Sequence, residues 1–124
     1  MFTMRLQGGA PICDQLERRI IELIISGEMA PNEKLPAVRE IANSLSINPN
    51  TVQKTYVKLE AKGLIYSIPA KGSYVCEKEK YLERIRIEAR DEFSEAVIKA
   101  LRSGLSVRDL NDILEIISKE RGDK

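Results

Sequence analysis

The stretch of residues 35–75 constrains the fold of this 124-residue chain more than any other feature. Apolar residues recur three and four positions apart over residues 36–45 and again from residue 49 to about residue 62, and this spacing predicts two helices. Only Ser46 and Ile47 separate the first helix from the cap of the second. Two short helices joined by so tight a turn are typical of a helix-turn-helix, a motif that places its second helix in the major groove of DNA.

The second helix carries clear start and stop signals. Asn48 can accept a hydrogen bond from an unpaired backbone N–H, which makes it a good N-cap. Pro49 suits the first helical position, where a missing N–H costs little, and it favours an extended conformation of the residue before it. Gly63 supplies the C-terminal stop. We therefore predict a helix from Pro49 to about Lys62.

The outer face of this second helix is polar and is predicted to contact DNA. Its exposed side chains are Asn50, Thr51, Gln53, Lys54 and Lys58. Residues 48–58 contain two lysines and no acid, a local charge of +2. Asparagine and glutamine can bond bidentately to adenine, a threonine methyl can touch thymine, and a helix N-terminus attracts phosphate. The alternative is that Asn48 and Asn50 only cap the helix and that the remaining side chains form an ordinary solvated face.

A β-hairpin is predicted directly after Gly63. Residues 64–68 and 73–76 are short, rich in β-branched and aromatic side chains, and separated by Pro-Ala-Lys-Gly. Lys71 and Gly72 lie at the tip, where a glycine lets backbone approach a phosphate and a lysine adds a charge. An ordinary polar hairpin tip is the alternative. The hairpin would form the wing of a winged helix-turn-helix.

One more helix precedes the motif. Apolar residues at helical spacing predict a helix from Pro11 to about Ser26, which Gly27 ends. Residues 1–10 are expected either to form an arm or to pair across a dimer. The prediction for residues 1–76 is a winged helix-turn-helix domain of three helices and a hairpin, so the fold class is mainly α.

Residues 77–124 are helical in pattern throughout. One helix is predicted over residues 78–102, followed by a break at Gly104 and a last helix capped by Ser106 with Asp109. Their apolar positions form faces made of Leu82, Ile85, Ala89, Phe93, Ala96, Ala100, Leu110, Ile113, Leu114 and Ile117. Two such helices in fewer than fifty residues cannot close a core alone. We expect them to dimerise; the alternative is that they fold back on their own domain.

The ordered residues of this motif resemble the GntR family of bacterial transcription regulators. The matching positions are Pro11, Ile12, Gln15, Gly27, Pro31, Leu35, Pro36, Arg39, Ile41, Ala42, Leu45, Asn48, Asn50, Thr51, Val52, Tyr56, Leu59, Glu60, Gly63, Leu64, Ile65, Gly72 and Val75. The resemblance implies DNA contacts by Arg39 first, then by Asn48, Asn50, Thr51 and Gln53. Some members have an arginine where this chain has Pro49, so any base contact made there is lost.

The short helical tail is similar to that of the YtrA subfamily. That resemblance implies a repressor of a transporter operon, and its own promoter is a further expected target. The dimer that the apolar helix faces indicate would bind a palindromic operator. Larger subfamilies carry a separate effector-binding domain, for which residues 77–124 are too few. A small-molecule effector, where one exists, would then bind between the helices or at the dimer interface.

Composition argues against catalysis. The chain has no histidine, which excludes histidine-based nucleophilic triads, and it lacks CxxC pairs and a phosphate-binding GxxxxGK[ST] loop. We expect no enzyme activity, no metal and no cofactor. Cys13 and Cys76 are far apart, and no secretory signal or membrane span is evident, so a reduced cytoplasmic protein is expected.

Two hypotheses for function follow. The first is a sequence-specific, dimeric DNA-binding regulator. The second is a winged helix that docks proteins and does not bind DNA. The polar, acid-free face over residues 48–58 favours the first, because a protein-docking face would be richer in exposed apolar side chains.

Overall fold

The computed structural model describes residues 2–122 and contains five helices and one two-stranded antiparallel sheet over that range. In chain order the elements are α1 (Ile12–Ser26), α2 (Val38–Leu45), α3 (Pro49–Ala61), β1 (Ile65–Ile68), β2 (Gly72–Val75), α4 (Lys78–Arg102) and α5 (Val107–Glu120). The predicted fold class, a mainly α winged helix-turn-helix followed by two helices, is confirmed. None of the helices described is long and apolar enough to cross a membrane.

The chain divides into two units, and the boundary lies within α4, between Ile85 and Arg86. The first unit holds the apolar core, in which α3 packs against both α1 and α2. Its most deeply buried side chains are those of Leu16, Ile20, Ile24, Ile41, Val52, Leu59, Leu64, Ile65 and Val75. α1 therefore supports the helix-turn-helix from behind, which fixes the direction in which the outer face of α3 points.

The turn between α2 and α3 depends on a residue in the left-handed conformation. Ser46 has a φ of 55°, and its N–H is bonded to carbonyls in the last turn of α2. Asn48 then caps α3 as predicted, since its Oδ1 accepts a hydrogen bond from the N–H of Asn50 at 2.8 Å. Gly27 ends α1 in the same left-handed way, with a φ of 86°.

The start of α2 differs from the prediction. The sequence pattern placed it at Pro36, but the helix begins at Val38 because Ala37 is extended, with a ψ of 148°. A tertiary contact explains the delay: the hydroxyl of Tyr56 donates to the carbonyl oxygen of Pro36 at 2.5 Å. That carbonyl is therefore held by α3 and does not enter a helical turn.

The wing is the hairpin of β1 and β2, paired from Ile65 opposite Val75 to Ile68 opposite Gly72. Its turn is closed by the N–H of Lys71, which donates to the carbonyl of Ile68 at 3.0 Å, and Ala70 takes a φ of 67°. The first strand was predicted to begin at Leu64, one residue too early, and the second was predicted at residues 73–76, one residue too late. Differences of this size are ordinary at the ends of short elements.

The N-terminal segment packs on its own unit. Phe2 is 6% exposed and belongs to the core, and Met4 packs against that core. Gln7 is bonded to Gln15 of α1 through both its N–H and its carbonyl. The arm that the sequence left undecided is therefore placed against α1 in this structure.

The first two turns of α4 also belong to the first unit. Tyr81 is 4% exposed within the core, and Leu82 and Ile85 pack against it half-buried. In the second unit, α5 begins at the predicted capping box: the Ser106 side chain accepts from the N–H of Asp109, and the Asp109 carboxylate accepts from the N–H of Ser106.

Candidate nucleic-acid interface

The N-terminal end of α3 is exposed and carries no acid in its first turn. Asn48 uses its side-chain oxygen for capping, and Asn50 is exposed beside it. Thr51 is half-buried one position further on. Because the first N–H groups of a helix carry partial positive charge, this end of α3 favours an anionic partner such as a DNA phosphate.

The outer and inner faces of α3 differ in their exposure to solvent. Val52, Thr55, Tyr56 and Leu59 are buried, whereas Gln53 and Lys54 are exposed. Val57 is also exposed, by 58%, and lies one turn beyond them on the same side. Val57 was absent from the predicted set because an apolar residue inside a helical pattern is normally taken as a core position.

Lys58 has a protein partner. Its Nζ lies 3.0 Å from Oδ1 of Asp14, in the first turn of α1, and this hydrogen bond is the main cause that raises the pKa of Lys58. Lys62 is paired in the same way with Glu17 of α1, at 2.8 Å. Lys58 in α3 and Lys62 directly after its end are thus held by α1, whereas Lys54 makes no salt bridge with any described residue. A DNA contact by Lys58 remains a prediction, and it would compete with Asp14.

Arg39 lies in the first turn of α2 and is exposed. Ile41, on the other side of that short helix, is buried, and so is Ala42 in the following turn. No salt bridge within residues 2–122 involves Arg39, so its guanidinium is available to an external anion. The DNA contact predicted for Arg39 stays a prediction that this placement allows.

A groove separates α3 from the wing. It has a volume of about 250 Å³, and its lining includes Gln53 of α3 and Lys71 and Gly72 of the wing tip. Lys34 and Glu60 line it as well, and the carboxylate of Glu60 accepts a hydrogen bond from Ser67 at 2.7 Å. We call this surface the wing groove. Three of the predicted DNA contacts, from two separate elements, therefore meet on one surface.

The wing is stiffened by aromatic and polar contacts. Tyr66 and Tyr74 stack with their ring centroids 5.6 Å apart, and the hydroxyl of Tyr66 donates to Oδ1 of Asn32 at 3.0 Å. Asn32 takes a left-handed φ of 66°. These contacts join the two strands of the wing and tie β1 to the loop before α2.

The predicted dimerisation residues fall into two groups. Leu82 and Ile85 pack against the core of the first unit, as described above. In the second unit, Phe93 is 54% exposed and Ile117 is 48% exposed. The others of the second unit are also exposed or half-buried: Ala89, Ala96, Ala100, Leu110, Ile113 and Leu114.

The second unit exposes further large apolar side chains that were not among the residues predicted for dimerisation. They are Ile87, Ile98, Leu105, Val107 and Ile116. Ile87 and Ile98 lie outside the predicted stripe of α4, Leu105 lies in the connection between the two helices, and Val107 is the first residue of α5. Exposed apolar surface of this kind is typical of surfaces that bind a partner.

Comparison with known proteins gives consistent matches. The family described as "Bacterial regulatory proteins, gntR family" matches residues 12–75. The HTH-type transcriptional repressor YtrA of Bacillus subtilis is 33% identical over 122 residues, which cover 97% of this chain and 94% of that protein.

Solved structures agree with the sequence matches. A GntR family transcriptional regulator from Listeria monocytogenes has a TM-score of 0.74 and 25% identity, and the match covers 89% of this chain and 97% of the other. The AraR DNA-binding domain in complex with operator ORE1 has a TM-score of 0.53 and 26% identity, over 61% of this chain and 95% of the other.

Proposed function

This chain belongs to the GntR family of bacterial regulatory proteins and is a DNA-binding transcription regulator, and from that premise we propose that it is a dimeric repressor. The GntR resemblance stated from the motif is confirmed, and so is its YtrA-like character. The matched proteins are named as regulators, so the expectation that this chain is not an enzyme is confirmed as well. The docking-module alternative is not favoured.

We propose that the N-terminal half of α3 reads base edges in the major groove. The observation that carries this proposal is the exposed, acid-free face that begins at the capped end of α3. Gln53 can bond to an adenine edge, and Thr51 can offer its methyl to thymine. Asn48, Asn50 and Lys54 lie on the same end, with Asn48 also serving as the cap.

Three further residues are proposed to hold the DNA backbone. Arg39 contributes a guanidinium from α2, and Lys71 with Gly72 contributes the wing tip. Contacts of this kind position a protein on the duplex but carry no sequence information themselves. Lys58 is proposed as a weaker contact because Asp14 already holds its ammonium group.

The second unit is proposed to form the homodimer interface. Its apolar side chains on α4 and α5 are about half exposed in the single chain, among them Phe93, Ile113, Leu114 and Ile117. In a two-fold dimer the same surface would be buried on both copies. The two α3 helices would then face half-sites that are about 34 Å apart, which is one turn of DNA, or a multiple of that distance. The operator would then be palindromic.

Repression is proposed from the relatives, since the Bacillus subtilis protein is named a repressor. Following the YtrA-like resemblance, the proposed targets are a transporter operon and the chain's own promoter. A small-molecule effector would bind at the dimer interface, where it can favour one arrangement of the two protomers. A DNA partner also places the protein in the compartment that holds the chromosome, which in bacteria is the cytoplasm.

The test begins with DNA duplexes enriched from a random pool by their affinity for the full chain. Binding of the enriched duplex and of a scrambled duplex is then measured for the wild type and for Arg39→Ala. We expect Arg39→Ala to weaken binding strongly while the thermal unfolding temperature stays unchanged. Arg90→Ala, which removes an exposed arginine from α4, is the matched control and should bind as the wild type does.

One result would overturn the proposal, and another would remove a single contact from it. If no duplex is enriched and neither duplex is bound at low salt, the chain does not act through DNA. If Arg39→Ala and Arg90→Ala bind equally well, the backbone contact assigned to Arg39 is wrong while the assignment of α3 stands on its own test.

A further inference from the structure

The loop before α2 adds a third segment to the wing. The N–H of Asn32 donates to the carbonyl of Val75 at 2.7 Å, and the N–H of Leu35 donates to the carbonyl of Ser73 at 2.8 Å. Lys34 lies between these bonds and forms an antiparallel bridge with β2. Because side chains alternate along extended chain, the buried side chain of Leu35 leaves that of Lys34 on the opposite face.

The side chain of Lys34 lies across Gly72. If Gly72 had a Cβ atom, that atom would lie 2.9 Å from Cε of Lys34 and 3.8 Å from its Nζ. The lysine therefore occupies the space that the absent side chain leaves at the wing tip. Gly72 also has a φ of 126°, which other residues rarely adopt. Gly72 therefore has two structural roles: it adopts the φ that the turn requires, and it leaves space for the side chain of Lys34.

Lys34 thus lies on the surface that is proposed to face DNA. Lys34 and Lys71 both line the wing groove, which has Gln53 of α3 on its other side. Lys34 is exposed, and no salt bridge within residues 2–122 involves it. The acid in the groove, Glu60, is engaged by Ser67. Two ammonium groups therefore lie at the wing side of the groove.

We propose that Lys34 binds a backbone phosphate of the DNA strand that passes between α3 and the wing, with Gly72 holding the space for its side chain. This inference rests on the proposed function, and it adds a contact from a loop that the helix-turn-helix pattern does not include. Lys34 would act as a positioning contact, since an ammonium group on a phosphate reads charge and not sequence.

The test compares the salt dependence of binding for the wild type, Lys34→Gln and Lys34→Arg. Each phosphate neutralised contributes about 0.9 to the slope of log K against log salt on duplex DNA. Because a dimer carries two copies of Lys34, Lys34→Gln should make that slope shallower by about 1.8, or about 0.9 per protomer, and it should weaken the enriched and scrambled duplexes by the same factor. Lys34→Arg should keep the wild-type slope. Lys99→Gln removes one exposed lysine from α4 and serves as the control.

Thermal unfolding of each variant shows whether the wing is still folded. A wild-type slope for a folded Lys34→Gln would overturn the proposal. So would a changed base preference with an unchanged slope, because that would make Lys34 a base contact. Failure of the wild type to bind any duplex is a separate result that refutes the proposed function itself.

Discussion

Removal of the Phe93 side chain offers a quantitative test of the second unit. Phe93 is 54% exposed in the single chain, although it lies in the middle of α4. An aromatic side chain buries about 150–250 Å² when covered, so roughly 100 Å² per protomer remains available to a partner. In a two-fold dimer the substitution occurs twice, which gives about 200 Å².

That area converts into a large change in dimer stability. At about 25 cal/mol per Å² the loss from Phe93→Ala reaches roughly 5 kcal/mol, which weakens the dimer by roughly three to four orders of magnitude. Sedimentation equilibrium over a range of protein concentrations measures the dissociation constant. Circular dichroism checks that α4 stays helical, as expected because alanine is a strong helix former.

The matched control is Glu95→Ala. Glu95 is exposed and lies two residues further along α4, so its side chain points away from that of Phe93. We expect the control to dimerise as the wild type does and Phe93→Ala to be monomeric at micromolar concentration. Equal dissociation constants for both variants would refute the assignment of this face to the dimer.

Three further predictions concern the first unit. Asp14→Asn should release Lys58, raise DNA affinity and steepen the salt slope of the dimer by up to about 1.8, or about 0.9 per protomer; an unchanged slope would show that Lys58 does not reach phosphate. Asn48→Ala should lower the free energy of unfolding by about 1 kcal/mol through loss of the cap, as measured by urea denaturation. The pKa of Tyr56 is raised above its ordinary 10.0, mainly by burial of the hydroxyl and to a smaller extent by the negative charge of Glu40. As the pH rises, the unfolded chain therefore loses the hydroxyl proton before the folded chain does. The free energy of unfolding should then fall above pH 10.0 by up to about 1.4 kcal/mol per pH unit. Tyr56→Phe, which has no such proton, should not show this part of the decrease.

Features set by neighbouring residues were predictable from the sequence. The capped start of α3 at Asn48 and Pro49, and the capping box of Ser106 with Asp109, were predicted at the right residues. The ends of α4 also match the prediction, residues 78–102. Each of these depends on hydrogen bonds or propensities within one or two helical turns, so the local sequence contains the information.

Features set by distant residues were not predictable in this way. Lys58 was expected to be a free cation of the outer face, but its partner Asp14 lies on another helix, 44 residues earlier in the chain. Lys34 lies in a loop, and only its pairing with β2 shows that it reaches the wing groove. Tyr81 was not singled out, because its burial depends on how the start of α4 meets the core.

The apolar faces of α4 and α5 illustrate a further limit. The sequence pattern predicted which positions are apolar, and the structure leaves most of those in the second unit exposed. A single chain contains no partner that could cover them, so the pattern and the structure together support a partner without identifying it. The assignment of residues 77–124 to dimerisation therefore remains a prediction, for which Phe93→Ala is the test.

The most direct test of the central claim is base discrimination by Gln53→Ala on the enriched duplex. Affinities of the wild type and the variant are measured for every single base-pair change in one half-site. If Gln53 reads a base edge, the wild type should lose about 1–3 kcal/mol at one position, and the variant should no longer distinguish bases there. A variant that weakens all sequences by one common factor, or that retains full discrimination at every position, would contradict the assignment of α3 as the reading helix.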